Sequence, residues 1–219
     1  MAPERTPRAR RGRLNLPRGV AAGHLASRTL GTVRVAIAGA HGKIARHLGR
    51  RLAGRGDTVL GLIRKPAHAD DLRADGVEPV VADLEQIDAA TLAERIAGAD
   101  AAVFSAGAGP GSGAARKDTV DRGAAVLLAE ACEQAGVRRL VQVSSMGTDQ
   151  PTPPDVDPVF AAYLDAKRAA EEDLRSRDLD WTILRPGRLT DTEPTGRVRL
   201  AASVPRGEIA RADVADVLL

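Results

Sequence analysis

The apolar pattern of the chain changes abruptly at residue 32. Upstream, residues 1–30 sustain neither a period of 2 nor one of 3.6, and Pro3, Pro7 and Pro17 lie among arginines. That stretch is expected to be a disordered basic arm. Downstream, Val33-Arg34-Val35-Ala36-Ile37-Ala38 is a short apolar run closed by Gly39, which predicts a buried strand. A helix is predicted over 42–53, because Ile44, Leu48 and Leu52 stand four apart on one face and Gly54 and Gly56 end it. Strands over 59–63 and 79–82 follow, with a short helix holding Leu72 between them. The alternation continues with a helix over 92–97, a strand over 101–104, a long helix over 118–136 and a strand over 140–143. Four prolines within 148–158 predict a loop. A helix over 159–177, strands over 181–184 and 196–201, and a last helix over 210–219 complete the reading.

Strands that are apolar throughout, alternating with helices, predict βαβ units and a parallel sheet covered on both faces. The fold class is therefore α/β: a doubly wound, three-layer Rossmann-type domain over residues 31–219, behind the arm over 1–30. The chain has 219 residues, enough for one domain with a sizeable core. That core is made of small side chains: 40 residues are Ala, and Phe104, Phe160, Tyr163 and Trp181 are the four aromatics. Such a composition favours close helix-on-sheet packing over an aromatic-lined pocket. No internal repeat of 20–50 residues is visible beyond the alternation itself.

Charge matters once it is divided. The formal net charge is +3, but residues 1–30 hold seven Arg against Glu4 alone, leaving 25 bases and 28 acids in the body. The body thus lacks the basic excess expected of a nucleic-acid binder. The arm admits three readings: an upstream start or inert tail, a nucleic-acid or membrane tether, or a targeting peptide. It has no apolar core of the secretory kind. A single cysteine, Cys132, excludes an intramolecular disulfide framework and a Cys-based zinc site, and the four His show no ligand spacing, so no metal is expected. No apolar run reaches the roughly 18 residues that a membrane span needs. These points suggest a cytoplasmic protein that does not enter a membrane.

The first strand-to-helix turn carries the most chemistry. Gly39-Ala40-His41-Gly42-Lys43-Ile44-Ala45 has the spacing G-x-x-G-x-x-A. Gly39 permits a tight turn, Gly42 lets a pyrophosphate approach the backbone, and the helix N-terminus offers free N–H groups and partial positive charge. The pattern differs from G-x-G-x-x-G, and its place in the first βα turn is what points to a dinucleotide. The second strand ends Leu62-Ile63-Arg64-Lys65, and the next acid is Asp70. A carboxylate there would bind a ribose 2′-OH and repel a 2′-phosphate, whereas Arg64 can bind the phosphate. NADP(H) is therefore favoured over NAD(H).

With these residues the chain resembles the short-chain dehydrogenase/reductase superfamily, in its atypical NAD(P)H-binding branch, over about residues 32–217. The resemblance rests on the Gly39–Ala45 loop, Arg64, Asp83-Leu84 after the third strand, and Ser105-Ala106-Gly107-Ala108-Gly109 after the fourth. Val143-Ser144-Ser145, Tyr163-x-x-x-Lys167 and Arg185-Pro186-Gly187-Arg188-Leu189 follow in family order. It implies a sheet of order 3-2-1-4-5-6 with a small C-terminal substrate lobe. It also implies that Gly39, His41, Gly42, Lys43, Ile44, Arg64, Lys65, Asp83, Leu84, Ser105, Ala106, Gly107, Lys167, Pro186 and Gly187 hold the cofactor. Relatives usually continue with a further strand and helix beyond the point where this chain stops, at Leu219, so the lobe is expected to be curtailed.

Tyr163 and Lys167 are i and i+4, so they share one helix face. A nearby ammonium favours tyrosinate and is expected to lower the Tyr163 pKa, suiting it to general acid–base work. By resemblance, Lys167 also binds the nicotinamide ribose. Ser145 is expected to hydrogen-bond the substrate oxygen, with Ser144 as the alternative that the residues do not separate. A hydrolase elbow and a Walker A loop are both missing. Gly107 to Gly113 reads equally as a loop over the site and as a phosphate cradle. The expectation is an oxidoreductase that moves hydride between NADP(H) and a small carbonyl or alcohol, as a monomer or homodimer. The alternative is a non-enzymatic NADP(H)-binding sensor, like the nitrogen-metabolite-repressor-like relatives. A nucleotide-sugar epimerase is weaker, since its aromatic-bearing serine motif after the fifth strand is missing.

Overall fold

The fold is taken from a computed structural model, which describes residues 31–109, 111–152 and 154–219. The predicted arm lies outside the described residues. Strands β1 (Arg34–Ala38), β2 (Thr58–Ile63), β3 (Glu78–Val81), β4 (Ala101–Phe104), β5 (Arg139–Val143) and β6 (Asp180–Leu184) form one parallel sheet of order β3-β2-β1-β4-β5-β6. This is the predicted Rossmann-type order, and its reversal beside β1 leaves a crevice at the carboxyl ends of β1 and β4. Pro79, which cannot donate to a ladder, sits in β3 at the sheet edge, where that donor is not needed.

Alternate residues of β1 face opposite layers. Ala36 and Ala38 join Leu60, Leu92, Leu128 and Leu174, against helices α3 (Ala89–Ile96), α5 (Ala124–Ala135) and α6 (Pro158–Ser176). Val35 and Ile37 join Leu48, Leu52, Leu72 and Val214, against α1 (Lys43–Gly54), α2 (Ala69–Ala74) and α7 (Arg211–Val217). Both layers are buried, which is why the strands read as continuous apolar runs. Helix starts follow local chemistry. Asp88 caps α3 by accepting from the Thr91 N–H, and Asp157 caps α6 by accepting from the Phe160 N–H, with Pro158 in the first turn.

Two predictions are corrected. The long helix does not begin at 118. A turn, α4 (Ala114–Arg116), leads into a π-helical stretch, Lys117–Gly123, which runs into α5. Residues 196–201 are not a strand: Val198 and Leu200 are exposed at 43% and 70%, so the alternating pattern has no surface to bury against. Instead β7 (Arg188–Thr190) pairs in parallel with β8 (Glu208–Ala210) as a small second sheet. The segment between them is tied down by Asp213 of α7, which accepts from the N–H groups of Thr195 and Gly196 at 3.0 and 2.9 Å.

Candidate active site

The crevice holds two cavities that meet at Ser105, Ala106 and Gly107 after β4. The smaller, of about 360 Å³, is bordered by the β1–α1 turn, the end of β2 and the segment after β3. The larger, of about 860 Å³, lies between α6, the π-helical stretch and the β7–β8 lobe. An elongated dinucleotide fits such a pair of joined spaces.

At the small cavity the turn is built to keep side chains out. Gly39 has φ +76°, and a Cβ there would lie 2.6 Å from the Ala106 Cα. Gly39 and Gly42 both border the cavity at the start of α1, whose first amides lack intrahelical partners. Arg64, Asp83, Leu84 and Ser105 border it, as do His41, Ala106 and Gly107. The Arg64 guanidinium is only loosely held, 3.3 Å from Glu85, which binds Arg116 more closely at 2.6 Å. Arg116 and His68 also line this space and were missed from sequence. His41 stacks on His68 with ring centroids 3.6 Å apart and bonds Asp71 at 2.8 Å. Lys43 and Lys65 border neither cavity; Lys43 turns to Asp191 instead.

The large cavity brings together Ile44, Ser145, Tyr163, Lys167, Pro186 and Gly187. Lys167 is buried, with Nζ 3.3 Å from Asp121 Oδ1, 3.3 Å from the Val143 carbonyl oxygen and 3.5 Å from that of Ala106. Its pKa is lowered, chiefly by burial, with Asp121 opposing. Tyr163 lies beneath the same ammonium, 5.9 Å from the ring centroid. Its pKa is raised, not lowered as expected. Burial is the largest cause, Asp121 adds to it, and the Ser145 hydroxyl within hydrogen-bonding reach pulls the other way. The Lys167 charge that should favour tyrosinate is offset by the carboxylate beside it.

The two serines separate in space. Ser144 is buried and donates to Glu171 Oε1 at 2.5 Å. Glu171 also accepts from Thr148 at 2.8 Å, from Arg175 at 2.9 Å and from Arg185. Ser144 is thus engaged in the frame, and Ser145, whose hydroxyl donates to the Met146 carbonyl at 3.3 Å, lines the cavity with Tyr163.

Asp121 was not singled out from sequence, yet it is 1% exposed and central. It accepts from the Ala108 N–H at 3.1 Å and holds Lys167, tying the loop after β4 to the floor of the site. It sits in the π-helical stretch, and such stretches recur at functional sites. Pro186 accepts at its carbonyl from the Met146 N–H. Gly187 has no room for a side chain, because a Cβ would collide with the Gly207 carbonyl. Among the described residues no cluster of His, Cys, Asp or Glu could hold a metal, and no helix is long and apolar enough to cross a membrane.

Comparison with known proteins bears on the family and the fold. A family model described as NAD(P)H-binding matches residues 39–219. A Bacillus subtilis protein, the uncharacterized sugar epimerase YhfK, is 31% identical over 188 residues, covering 85% of this chain and 86% of its own. A solved Bacillus halodurans structure, provisionally assigned as an NAD-dependent epimerase/dehydratase, is 36% identical with a TM-score of 0.76, covering 85% of this chain and 86% of its own. The anaerobilin reductase ChuY from Escherichia coli O157:H7 is 26% identical with a TM-score of 0.70, over 85% of this chain and 88% of its own.

Proposed function

The chain belongs to the NAD(P)H-binding family, and from that premise we propose that it is an oxidoreductase using NADP(H) to interconvert a small carbonyl compound and its alcohol. One observation carries the reading: Tyr163, Ser145 and Lys167 converge on one cavity that joins the glycine-lined cleft. In this reading Gly39, Gly42 and the start of α1 hold the pyrophosphate. Asp83 and Leu84 flank the adenine, and Lys167 holds the nicotinamide ribose. Arg64, with Arg116 beside it, takes the 2′-phosphate, and this supports NADP(H) over NAD(H).

Bound NADPH supplies the hydride that the carbonyl carbon takes up. Ser145 donates a hydrogen bond to the carbonyl oxygen and orients it. Tyr163, kept protonated by its burial, gives that oxygen a proton, and in the alcohol direction accepts it back. Asp121 fixes Lys167 over the Tyr163 ring and supplies its counter-charge. The buried Cys132 fits a reducing cytoplasm, and the body's acidic balance fits a small-molecule partner for a monomer or homodimer.

Calorimetry with NADPH and NADH tests the cofactor, and tighter NADH binding overturns the assignment. NADPH oxidation with a panel of carbonyl compounds tests the reaction, with Tyr163→Phe expected to lose at least about 100-fold in kcat/KM. A second reading, a cofactor-binding module without turnover, is favoured by the raised Tyr163 pKa. It predicts cofactor binding with no reduction of any carbonyl compound, and a partner that distinguishes NADPH from NADP.

A further inference from the structure

The large cavity has a charge imbalance that the proposed reaction does not use. Two lysines are buried at its floor, Lys117 and Lys167, and one buried carboxylate, Asp121, lies with them. Asp121 is committed to Lys167. Lys117 is 8% exposed and has no acidic partner among the described residues. Its Nζ donates to the Gly109 carbonyl at 2.9 Å and stands 5.6 Å from the Tyr163 ring centroid. Its ammonium thus borders the cavity with a carbonyl as its hydrogen-bond acceptor, and an anion entering that space would give it the charged partner it lacks.

The rim repeats the sign. Arg206 lines the same cavity beside Gly147 and also lacks an acidic partner among the described residues. The other carboxylate of the lining, Asp157, spends one oxygen capping α6. Met146, Phe160 and Leu189 give the same cavity an apolar wall.

Resting on the oxidoreductase reading, we infer that this site takes an anionic substrate: an apolar carbonyl compound with a carboxylate close to the reacting carbon, paired with Lys117. Arg206 meets the same charge as it enters. The arrangement places the acid near the proton donor and leaves the apolar body to the Met146, Phe160 and Leu189 wall.

The test uses phenylglyoxylate and its methyl ester with the full chain and NADPH. For wild type, kcat/KM is expected to favour the acid, and Lys117→Met is expected to cut the acid-to-ester ratio by about tenfold or more, the loss of one charge-assisted bond. Comparing ratios between variants cancels the intrinsic reactivity of the two compounds. Lys117→Arg should restore the preference, and the NADPH affinity of Lys117→Met should equal that of wild type. Calorimetry of phenylglyoxylate on the NADP-saturated protein gives a readout free of turnover. Anion binding that weakens in Lys117→Met, without reduction of either compound, supports the anion site and counts against the oxidoreductase reading. Reduction of acid and ester with a ratio unchanged by Lys117→Met overturns the anion site and leaves the oxidoreductase reading standing. Weaker NADPH binding in Lys117→Met also overturns it, by assigning the lysine to the cofactor. Should Lys117→Met fail to fold, the exposed Arg206→Ala decides: an acid-to-ester ratio lower than wild type supports the site, and an unchanged one overturns it.

Discussion

Glu171 is the most heavily bonded buried group near the site, and its ionisation should be visible in the stability of the whole domain. Its side chain is fully buried on α6. It gathers Ser144 after β5, Thr148 in the following loop, Arg175 on its own helix and Arg185 after β6. Burial alone would raise its pKa, but the bonds from Arg185, Ser144, Thr148 and Arg175 together outweigh it and hold the carboxyl down at about 2. Against an unfolded value of 4.5, the difference is worth about 3 kcal/mol at roughly 1.4 kcal/mol per pH unit. The folded pKa is depressed, so this stability is fully present above the unfolded value and is lost as pH falls toward the folded one. About 2 kcal/mol should be gone by about pH 3. Glu171→Gln leaves the half-buried Arg185 against a neutral amide, and should cost about 3 kcal/mol near neutral pH, the stability that the depressed carboxyl contributes. Urea unfolding of both proteins across the acid range measures the gap, which should narrow by about 2 kcal/mol between about pH 6 and about pH 3. A gap that stays constant with pH would refute the assignment of the charge to Glu171.

Three further outcomes follow from the same geometry. Tyr163 is the one tyrosine of the chain, so tyrosinate absorbance reads it alone. Without cofactor it should titrate above the usual value near 10, and Asp121→Asn should bring the midpoint down by removing one of the causes that raise it. Ionisation near neutral pH in the cofactor-free protein contradicts this. Gly187→Ala forces a Cβ into the Gly207 carbonyl and should destabilise the β7–β8 lobe by about 1–3 kcal/mol or more, read by urea unfolding; wild-type stability refutes the close approach. Cys132 is fully buried and its thiol is pushed up to about 12. It should resist thiol reagents in the native protein and react once urea unfolds it. Rapid labelling of the folded chain would show that helix α5 does not enclose it as described.

Most of the framework was legible in the sequence because it rests on local signals. Buried parallel strands declare themselves as apolar runs, and Ile44, Leu48 and Leu52 mark the inner face of α1. The Tyr163/Lys167 pair was equally visible, since i and i+4 on a helix are always neighbours. What escaped depends on distance. Nothing in the spacing of Ser144, Thr148, Glu171 and Arg185 says that they meet, and that meeting is what separates Ser144 from Ser145. Lys117 and Asp121 escaped for another reason. Their stretch bonds i to i+5, so a period of 3.6 misplaces its faces. The false strand at 196–201 shows the converse: alternation in Val198 and Leu200 without any partner surface to give it meaning.

The small-residue composition acquires a function from these contacts. Where Gly39 meets Ala106 and Gly187 meets Gly207, backbone approaches backbone with no side chain between. At the turn itself the cleft therefore presents main chain, which offers a dinucleotide its N–H groups. The larger cavity brings together Asp121, Ser145, Tyr163, Lys117 and Lys167. Three of these come from one helical run and its neighbour in the same layer, since Lys117 and Asp121 share the π-helical stretch and Asp121 reaches Lys167 on α6. A shift of that stretch by one residue would separate Asp121 from Lys167 and move the buried Val120 from its place. The helix irregularity is thus the element on which the site's chemistry depends, and it is held by Asp121 on the Ala108 N–H, Lys117 on the Gly109 carbonyl and Thr119 on Glu85.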